Sequence, residues 1–293
     1  MTSSYAPPRF NGAAVSLEST HIAAAYHRDG FAIIENLFTP DECRTVMAHT
    51  EKMVSSADLS AVSTIFSTTS LRHAADSYFE TSGDKIRYFF EEDAFDGDGR
   101  LRVPRQRAIN KIGHALHDLD PVFERFSRDP RLATLAGIPE LRQPLLLQSM
   151  YIFKQPNIGG EVICHTDATY LYTEPLSVVG LWIALEDATI SNGCLWALPG
   201  CHAGALKSRF RRGASGLTTD VHDRAPWPMD RRIALEARQG TVVLLDGRCP
   251  HMSQANRSPR SRHAYTLHVI DGACRYPADN WLQRGPDMPL RGF

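Results

Sequence analysis

The sequence predicts a mainly β protein with helical flanks, its strands rolled into a double-stranded β-helix, or jelly roll. From Leu145 onward short strands of β-branched and aromatic residues recur at regular spacing between Gly, Pro and Asn clusters, the texture of a sandwich or barrel. Before Leu145 the pattern is richer in helix, with recognisable start and stop signals. With 293 residues, of which 43% are hydrophobic, the chain can bury a sizeable core within one domain.

Residues 1–18, with Pro7, Pro8 and Gly12, are expected to be flexible. In the helix-rich part, 19–144, Ser19-Thr20 caps a helix through His27 that Gly30 ends, and Phe31 to Phe38 follows as a strand. Thr39-Pro40-Asp41-Glu42 is a capping box with Pro at the first helical position, opening a helix to about Val54. After a Ser-rich stretch, Phe79 to Glu92 and Leu101 to Ile112 read as paired strands around the turn Phe95-Asp96-Gly97-Asp98-Gly99. Ala115 to Phe126 then reads as a helix interrupted near Pro121.

The jelly-roll core spans 145–270, with strands near 145–154, 161–165, 169–173, 178–187, 194–198, 233–237, 241–246, 250–254 and 262–270. They outnumber what a jelly roll requires, so one or two belong to the flanks. The insertion 201–232 carries Gly213, Gly216, Pro226 and Pro228 and is too long for a hairpin turn, as functional lids are. Residues 271–293 form a C-terminal tail.

Within this core, His165-Thr166-Asp167 places an imidazole and a carboxylate two residues apart at the end of an apolar run. In an extended chain such residues point to one side, so both groups converge on a point where a metal fits. His251 supplies a third group: Gly240 to Asp246 reads as a buried strand, Gly247 and Pro250 as a turn, and His251 opens the next strand. Two neutral imidazoles and one carboxylate make the facial triad of non-haem Fe(II) oxygenases, which leaves coordination positions open. His-x-Asp is a weak motif by itself, and ordinary surface residues are its bland reading. Arg262 strengthens it: at the start of an apolar strand, its planar fork suits the far carboxylate of a dicarboxylate co-substrate. Ser253 shares the strand face of His251, so its hydroxyl can join Arg262 there. The alternative for Arg262 is a surface residue of the basic stretch 257–262.

Long segments carry a family resemblance. They include Ser82-Gly83-Asp84-Lys85-Ile86-Arg87-Tyr88-Phe89-Phe90-Glu91, Ile109-Asn110-Lys111-Ile112-Gly113-His114-Ala115-Leu116-His117, Gln148-Ser149-Met150-Tyr151-Ile152-Phe153-Lys154-Gln155-Pro156 and Asn192-Gly193-Cys194-Leu195-Trp196. From Asp29 to Leu282 the chain resembles the phytanoyl-CoA dioxygenase (PhyH) family of Fe(II)/2-oxoglutarate oxygenases, and within it the phytanoyl-CoA dioxygenase domain-containing group. The resemblance implies a single cupin-like oxygenase domain over 1–293, with His165, Asp167 and His251 as iron ligands. It further implies Arg262 and Ser253 as 2-oxoglutarate contacts, with Lys111, Met150 and Trp182 lining the same pocket; core packing is the equal alternative for Met150 and Trp182. The cofactors it implies are Fe(II), 2-oxoglutarate and O2. The implied reaction is hydroxylation of a C–H bond of a small-molecule substrate with release of succinate and CO2. A cupin-type isomerase or lyase, or a silent 2-oxoglutarate-binding module, are the competing classes. Thr166 departs from the pattern, since close relatives tend to have Gln there.

The remaining features exclude other classes. A net charge of −1 and a pI near 6.9 give no surface for nucleic acid or an anionic membrane. Six scattered cysteines without a C-x-x-C, no leader pattern at the start, and no run of membrane-span length make the cytoplasm the expected location. Arg291-Gly292-Phe293 is not a peroxisomal address. Asp96-Gly97-Asp98-Gly99 is a turn, and His114 with His117 reads as a structural pair. His268 shares the face of Arg262, so it can touch the pocket, with a satisfied core histidine the favoured reading, while Cys164 should point away from the metal because neighbours in a strand alternate. Lys207, Arg209, Arg211 and Arg212 form a basic run in the insertion; a solvated loop is favoured over an anion-binding one. Ser215 lies in no G-x-S-x-G elbow.

Overall fold

A computed structural model describes residues 5–59, 62, 64–66, 77–214 and 216–293. In chain order its strands are β1 (Arg9–Asn11), β2 (Phe31–Glu35), β3 (Ile65–Phe66), β4 (Ile86–Glu91), β5 (Ile109–His114), β6 (Pro144–Ile152), β7 (Val162–His165) and β8 (Val179–Ala184). Then come β9 (Leu195–Ala197), β10 (Ser208–Gly213), β11 (Gly216–Val221), β12 (Ile233–Leu235), β13 (Val242–Asp246), β14 (His251–Ser253) and β15 (Ala264–Asp271). Nine form a large sheet in the order β1-β2-β13-β8-β15-β6-β5-β4-β3, and four form a small one, β12-β9-β14-β7.

The two sheets face each other, and residue alternation decides what lies between them. In β13, Val243 and Leu245 turn inward to pack with Phe31, Ile33 and Trp182 against Leu195, Ala197 and Leu235 of the small sheet. Val242 and Leu244 point to the other face and join the core beneath the helices. Because both faces are covered, β8 and Val242 to Leu245 of β13 are apolar rather than alternating with polar residues, and only Asp246 at the end of β13 is charged.

The helices packed on the outer core are α1 (Val15–Asp29), α2 (Pro40–Ser56), α4 (Leu116–Leu119), α5 (Pro121–Ser127) and α6 (Pro130–Ala136), while the one-turn α3 (Ser77–Glu80) and α7 (Asp167–Tyr170) join a separate cluster with Trp281. Gly30, at φ 84°, ends α1 in the left-handed conformation that favours glycine. The α2 capping box forms as its sequence dictates, Thr39 accepting from Glu42 N while Glu42 accepts from Thr39 N. The break at Pro121 separates α4 from α5.

Several expectations need correction. The start of the chain is ordered from residue 5: β1 extends the sheet beside β2, and α1 begins at Val15, not Ser19. The helix-rich part, 19–144, also supplies β2 to β5, four of the nine strands of the large sheet. Phe79 to Lys85 and Leu101 to Ala108 are helical turns and bends, leaving only β4 and β5 to pair. The strand expected at 169–173 is instead α7, because Ala168 N donates to Gly247 O and Leu171 N to Asp167 O, which close a helical turn against a strand-favouring sequence. Helix α6, capped by Asp129 ahead of Pro130, had gone unread. Parts of the Ser-rich stretch, and Ser215, lie outside the described residues.

Insertion 201–232 folds as the hairpin β10–β11, and every member of its basic run has an acidic partner. Lys207 pairs with Asp223, Arg209 with Asp279, Arg211 with Asp220 and Arg212 with Glu80. The C-terminal segment is equally tied down: Trp281 stacks on Phe79 at 4.6 Å, and Arg284 and Arg291 reach Asp118. Among the described residues no helix is long and apolar enough to cross a membrane. All six cysteines are free.

Candidate metal centre

Strands β7 and β14 pair antiparallel with His165 directly opposite His251, and their rings lie 4.4 Å apart between centroids. Thr166 stays extended (φ −121°, ψ 142°), which carries Asp167 back toward the imidazoles as α7 begins. Asp167 Oδ1 lies 3.9 Å from His165 Nε2 and 3.7 Å from His251 Nε2. Among the described residues this is the one group of three potential ligands whose donor atoms all fall within 4.8 Å of one another.

Backbone carbonyls orient both rings. His165 Nδ1 donates to Ile163 O at 2.8 Å and His251 Nδ1 to Cys249 O at 3.0 Å. A carbonyl only accepts, so each Nδ1 carries a hydrogen and each Nε2 is turned to the shared point. Desolvation, and then the nearby His251, lower the His165 pKa to about 4, so it is neutral at pH 7. For Asp167 burial works toward the neutral acid, but the imidazoles of His268 and His251 outweigh it and hold the carboxyl well below its usual range. This is the protonation state that metal ligation requires. His165 retains 19% of its side-chain exposure, which leaves the centre open on that side. Beside β7 lies a cleft of about 200 Å³ lined by Phe66, Glu91, Asn110, Gly160, Val162 and Arg257.

Arg262 is buried, at 2% exposure. Its Nε donates to Gly193 O at 3.0 Å, its guanidinium lies 5.4 Å from the Trp182 ring centroid, and its Nη1 has no hydrogen-bond partner among the described residues. Desolvation brings its pKa down to about 10, which still leaves it a cation at pH 7. Ser253 Oγ accepts from Lys154 Nζ at 2.8 Å, and that amine also donates to Gly160 O at 2.6 Å. Lys154 was missed at the sequence level, where a lysine after an apolar strand reads as its exit to solvent. A Cβ on Gly193 would come within 2.7 Å of Lys154 Cε and 2.8 Å of Gln254 O, so only glycine lets these segments meet beside Arg262.

Met150 and Trp182 flank Thr266 in one row across the large sheet. Lys111 Nζ sits 3.4 Å from the Phe66 ring centroid, 5.3 Å from that of Phe89 and 3.8 Å from Met150 Sδ. Burial alone lowers it to about 7. No carboxylate pairs with Lys111 or Arg262 among the described residues.

Other residues fall elsewhere. Thr166 Oγ1 meets Thr169 Oγ1 at 2.9 Å. His114 and His117 bond separately, to Ser82 and Ser149. Burial pushes the Cys164 thiol up to about 12, which leaves it protonated and unreactive. His268, read as a core histidine, lies with its Nε2 3.4 Å from Asp167 Oδ2. Another cavity, of about 380 Å³, is lined by Ala168, Asp246, Gly247 and Arg248 and does not include the triad.

The donor set itself, two imidazole nitrogens and one carboxylate oxygen around a common point, fits a divalent iron, and the free Arg262 Nη1 fits a carboxylate. The sequence model of the family described as phytanoyl-CoA dioxygenase (PhyH) matches residues 26–264. The chain belongs to the phytanoyl-CoA dioxygenase family. A phytanoyl-CoA dioxygenase of Arabidopsis thaliana is 45% identical over 260 residues, 88% of this chain and 91% of that one. Phytanoyl-CoA dioxygenase domain-containing protein 1 of Mus musculus is 42% identical over 275 residues, 90% of this chain and 94% of that one. Among solved structures, the non-haem α-ketoglutarate-dependent carbocyclase SnoK superposes with a TM-score of 0.63 at 18% identity, over 92% of this chain and 95% of that one. EctD from S. alaskensis, solved with 2-oxoglutarate and 5-hydroxyectoine, superposes with a TM-score of 0.60 at 21% identity, over 90% and 86%. At these identities the solved structures establish the shared fold of this PhyH-family chain, and the family assignment rests on its sequence relatives.

Proposed function

We propose that this PhyH-family protein is an Fe(II)- and 2-oxoglutarate-dependent dioxygenase that hydroxylates a C–H bond of a small-molecule substrate, with release of succinate and CO2. One observation carries the reading: two buried basic groups without acidic partners, the Arg262 guanidinium and the Lys111 amine, lie on the inner side of the large sheet, which faces the triad. A buried charge left unpaired is costly. A dicarboxylate with one end on Arg262 pairs that charge, and its other end favours the protonated form of Lys111, whose pKa burial lowers to about 7.

In this reading His165 and His251 offer their Nε2 lone pairs and Asp167 its Oδ1 to the iron, with the imidazoles oriented by Ile163 O and Cys249 O. Bound iron, with 2-oxoglutarate and O2, supplies the oxidising chemistry. Arg262 holds the distal carboxylate through Nη1, and Ser253 Oγ shares it. Lys111 meets the other carboxylate, while Met150 and Trp182 wall the pocket and exclude water. The same architecture serves a carbocyclase and an epimerase among the solved structures, so hydroxylation is proposed as the default outcome of the residues present. The whole chain acts as one oxygenase unit, and six free cysteines support a reducing, cytoplasmic setting.

Anaerobic reconstitution with Fe(II) and 2-oxoglutarate, followed by O2 and a metabolite library, tests the reading through succinate release. Succinate that rises with one class of metabolite supports it. Turnover of a substrate without O2 or 2-oxoglutarate points instead to an isomerase or lyase, and tight binding of both cofactors with no succinate under any condition to a silent module.

A further inference from the structure

We infer that His268 is a positioning residue of the metal centre: it holds the outer oxygen of Asp167, so that Oδ1 alone is presented between the two imidazoles. The inference rests on reading the triad as a metal centre. The two Asp167 oxygens have different neighbours. Oδ1 faces His165 and His251 at 3.9 and 3.7 Å, and Oδ2 faces His268 Nε2 at 3.4 Å, the shortest of the three contacts and a little beyond ordinary hydrogen-bond length. An ionised carboxylate only accepts, so the hydrogen is on His268 Nε2. His268 is buried at 6% exposure, and its Nδ1 has no partner among the described residues, so Asp167 is the one polar group its ring addresses there.

A second, independent feature makes room for this contact. In the register of the large sheet His268 lies opposite Gly180 of β8. A Cβ on Gly180 would stand 3.0 Å from Asp167 Oδ2 and 3.8 Å from His268 Cδ2. The glycine therefore leaves the outer oxygen the space in which His268 reaches it.

The chemical consequence concerns coordination number. A facial triad leaves three positions, which a chelating oxo acid and O2 need in full. A carboxylate free to rotate can chelate through both oxygens and close one of them. By engaging Oδ2, His268 keeps Asp167 a one-oxygen ligand and fixes its rotamer, as outer partners of metal ligands do.

The test is an anaerobic Fe(II) titration of wild type, His268→Leu, His268→Gln and Gly180→Ala. It is read by iron affinity and by the charge-transfer band of the Fe(II)–2-oxoglutarate complex, with the melting temperature of the metal-free proteins as a check on folding. His268→Leu should weaken iron binding roughly 10- to 100-fold, the scale for losing such an outer partner, and shift the band. His268→Gln, whose amide can still donate, should recover most of the affinity. Gly180→Ala should weaken iron binding by crowding Oδ2. A folded His268→Leu with wild-type affinity and band overturns the inference. So does a folded His268→Gln as defective as His268→Leu, since ring packing would then be the cause. Wild type that binds iron but no 2-oxoglutarate overturns the co-substrate reading and leaves the affinity comparison to decide on His268. Wild type that binds no iron removes the centre and the role of His268 with it.

Discussion

His165 and His251 face each other across an antiparallel strand pair, each with its Nδ1 turned to the carbonyl two residues before it. That symmetry is a property of paired strands rather than of either segment. It aims two lone pairs at one point, which Asp167 completes from the first turn of α7. Replacing Asp167 or His251 with Ala should abolish iron binding and succinate formation while leaving the metal-free fold intact. Anaerobic iron titration and circular dichroism check this, and retention of stoichiometric iron by either variant would contradict the assignment.

Arg262→Ala removes the guanidinium whose Nη1 lacks a partner. The expected loss in 2-oxoglutarate binding is about 3–5 kcal/mol, the scale for stranding one member of a buried pair. Arg262→Lys should recover little of it, because an ammonium lacks the planar fork. Unchanged 2-oxoglutarate affinity in Arg262→Ala would remove Arg262 from the site.

Lys111 predicts a pH signature. Burial lowers its pKa to about 7, so at pH 8 the free protein holds it mostly as the neutral amine. A bound carboxylate favours the ammonium and raises that pKa. Binding 2-oxoglutarate at pH 8 should therefore take up close to one proton per site, and less as pH falls through 7. Calorimetry in buffers of different ionisation enthalpy measures the uptake. Lys111→Met should eliminate it, and equal uptake in the variant would place the proton elsewhere.

Asp118 is a hub of the fold, at 3% side-chain exposure. It pairs with Arg128 at 2.7 Å, Arg291 at 2.9 Å, His117 at 3.2 Å and Arg284 at 3.4 Å. Burial opposes its ionisation, but the neighbouring His117 and the hydrogen bonds from Arg128 and Arg291 outweigh it and keep its pKa well below the usual range. Asp118→Asn should destabilise by about 3–5 kcal/mol in urea unfolding, since Arg284 is then buried without its partner. It should also loosen the C-terminal segment in hydrogen exchange.

The paired cations of the β10–β11 hairpin predict a different split. Changing Lys207, Arg209, Arg211 and Arg212 together to Gln should lower the melting temperature and leave 2-oxoglutarate affinity unchanged. A large fall in affinity with no loss of stability would show that the run serves a ligand.

Much of this centre was legible because its signals are local. His165-Thr166-Asp167 needed only an extended Thr166, and the turn at Gly247 and Pro250 announced the strand that His251 opens. Arg262 and Ser253 were readable from chain position and strand alternation. Residues 169–173 were misread because their β-branched and aromatic composition favours a strand, whereas hydrogen bonds to Gly247 and within the turn close α7. Lys154 gave no interpretable signal, and strand alternation put His268 on the face of Arg262 without revealing its contact with Asp167. Each lies near its partners only after strands distant in sequence have paired.

By itself the sequence determined the class of the protein, the apolar periodicities that roll its sheets together, and the residue types able to ligate a metal and grip a carboxylate. Only the tertiary structure decided which oxygen of Asp167 meets which histidine, that Gly180 leaves space for His268, and that Arg262 lies buried with an unsatisfied nitrogen. The physical reason is register. A side chain's face follows from its neighbours in the chain, but its partner across a sheet is set by the packing of the whole core, and a shift of one residue would turn every one of these groups away.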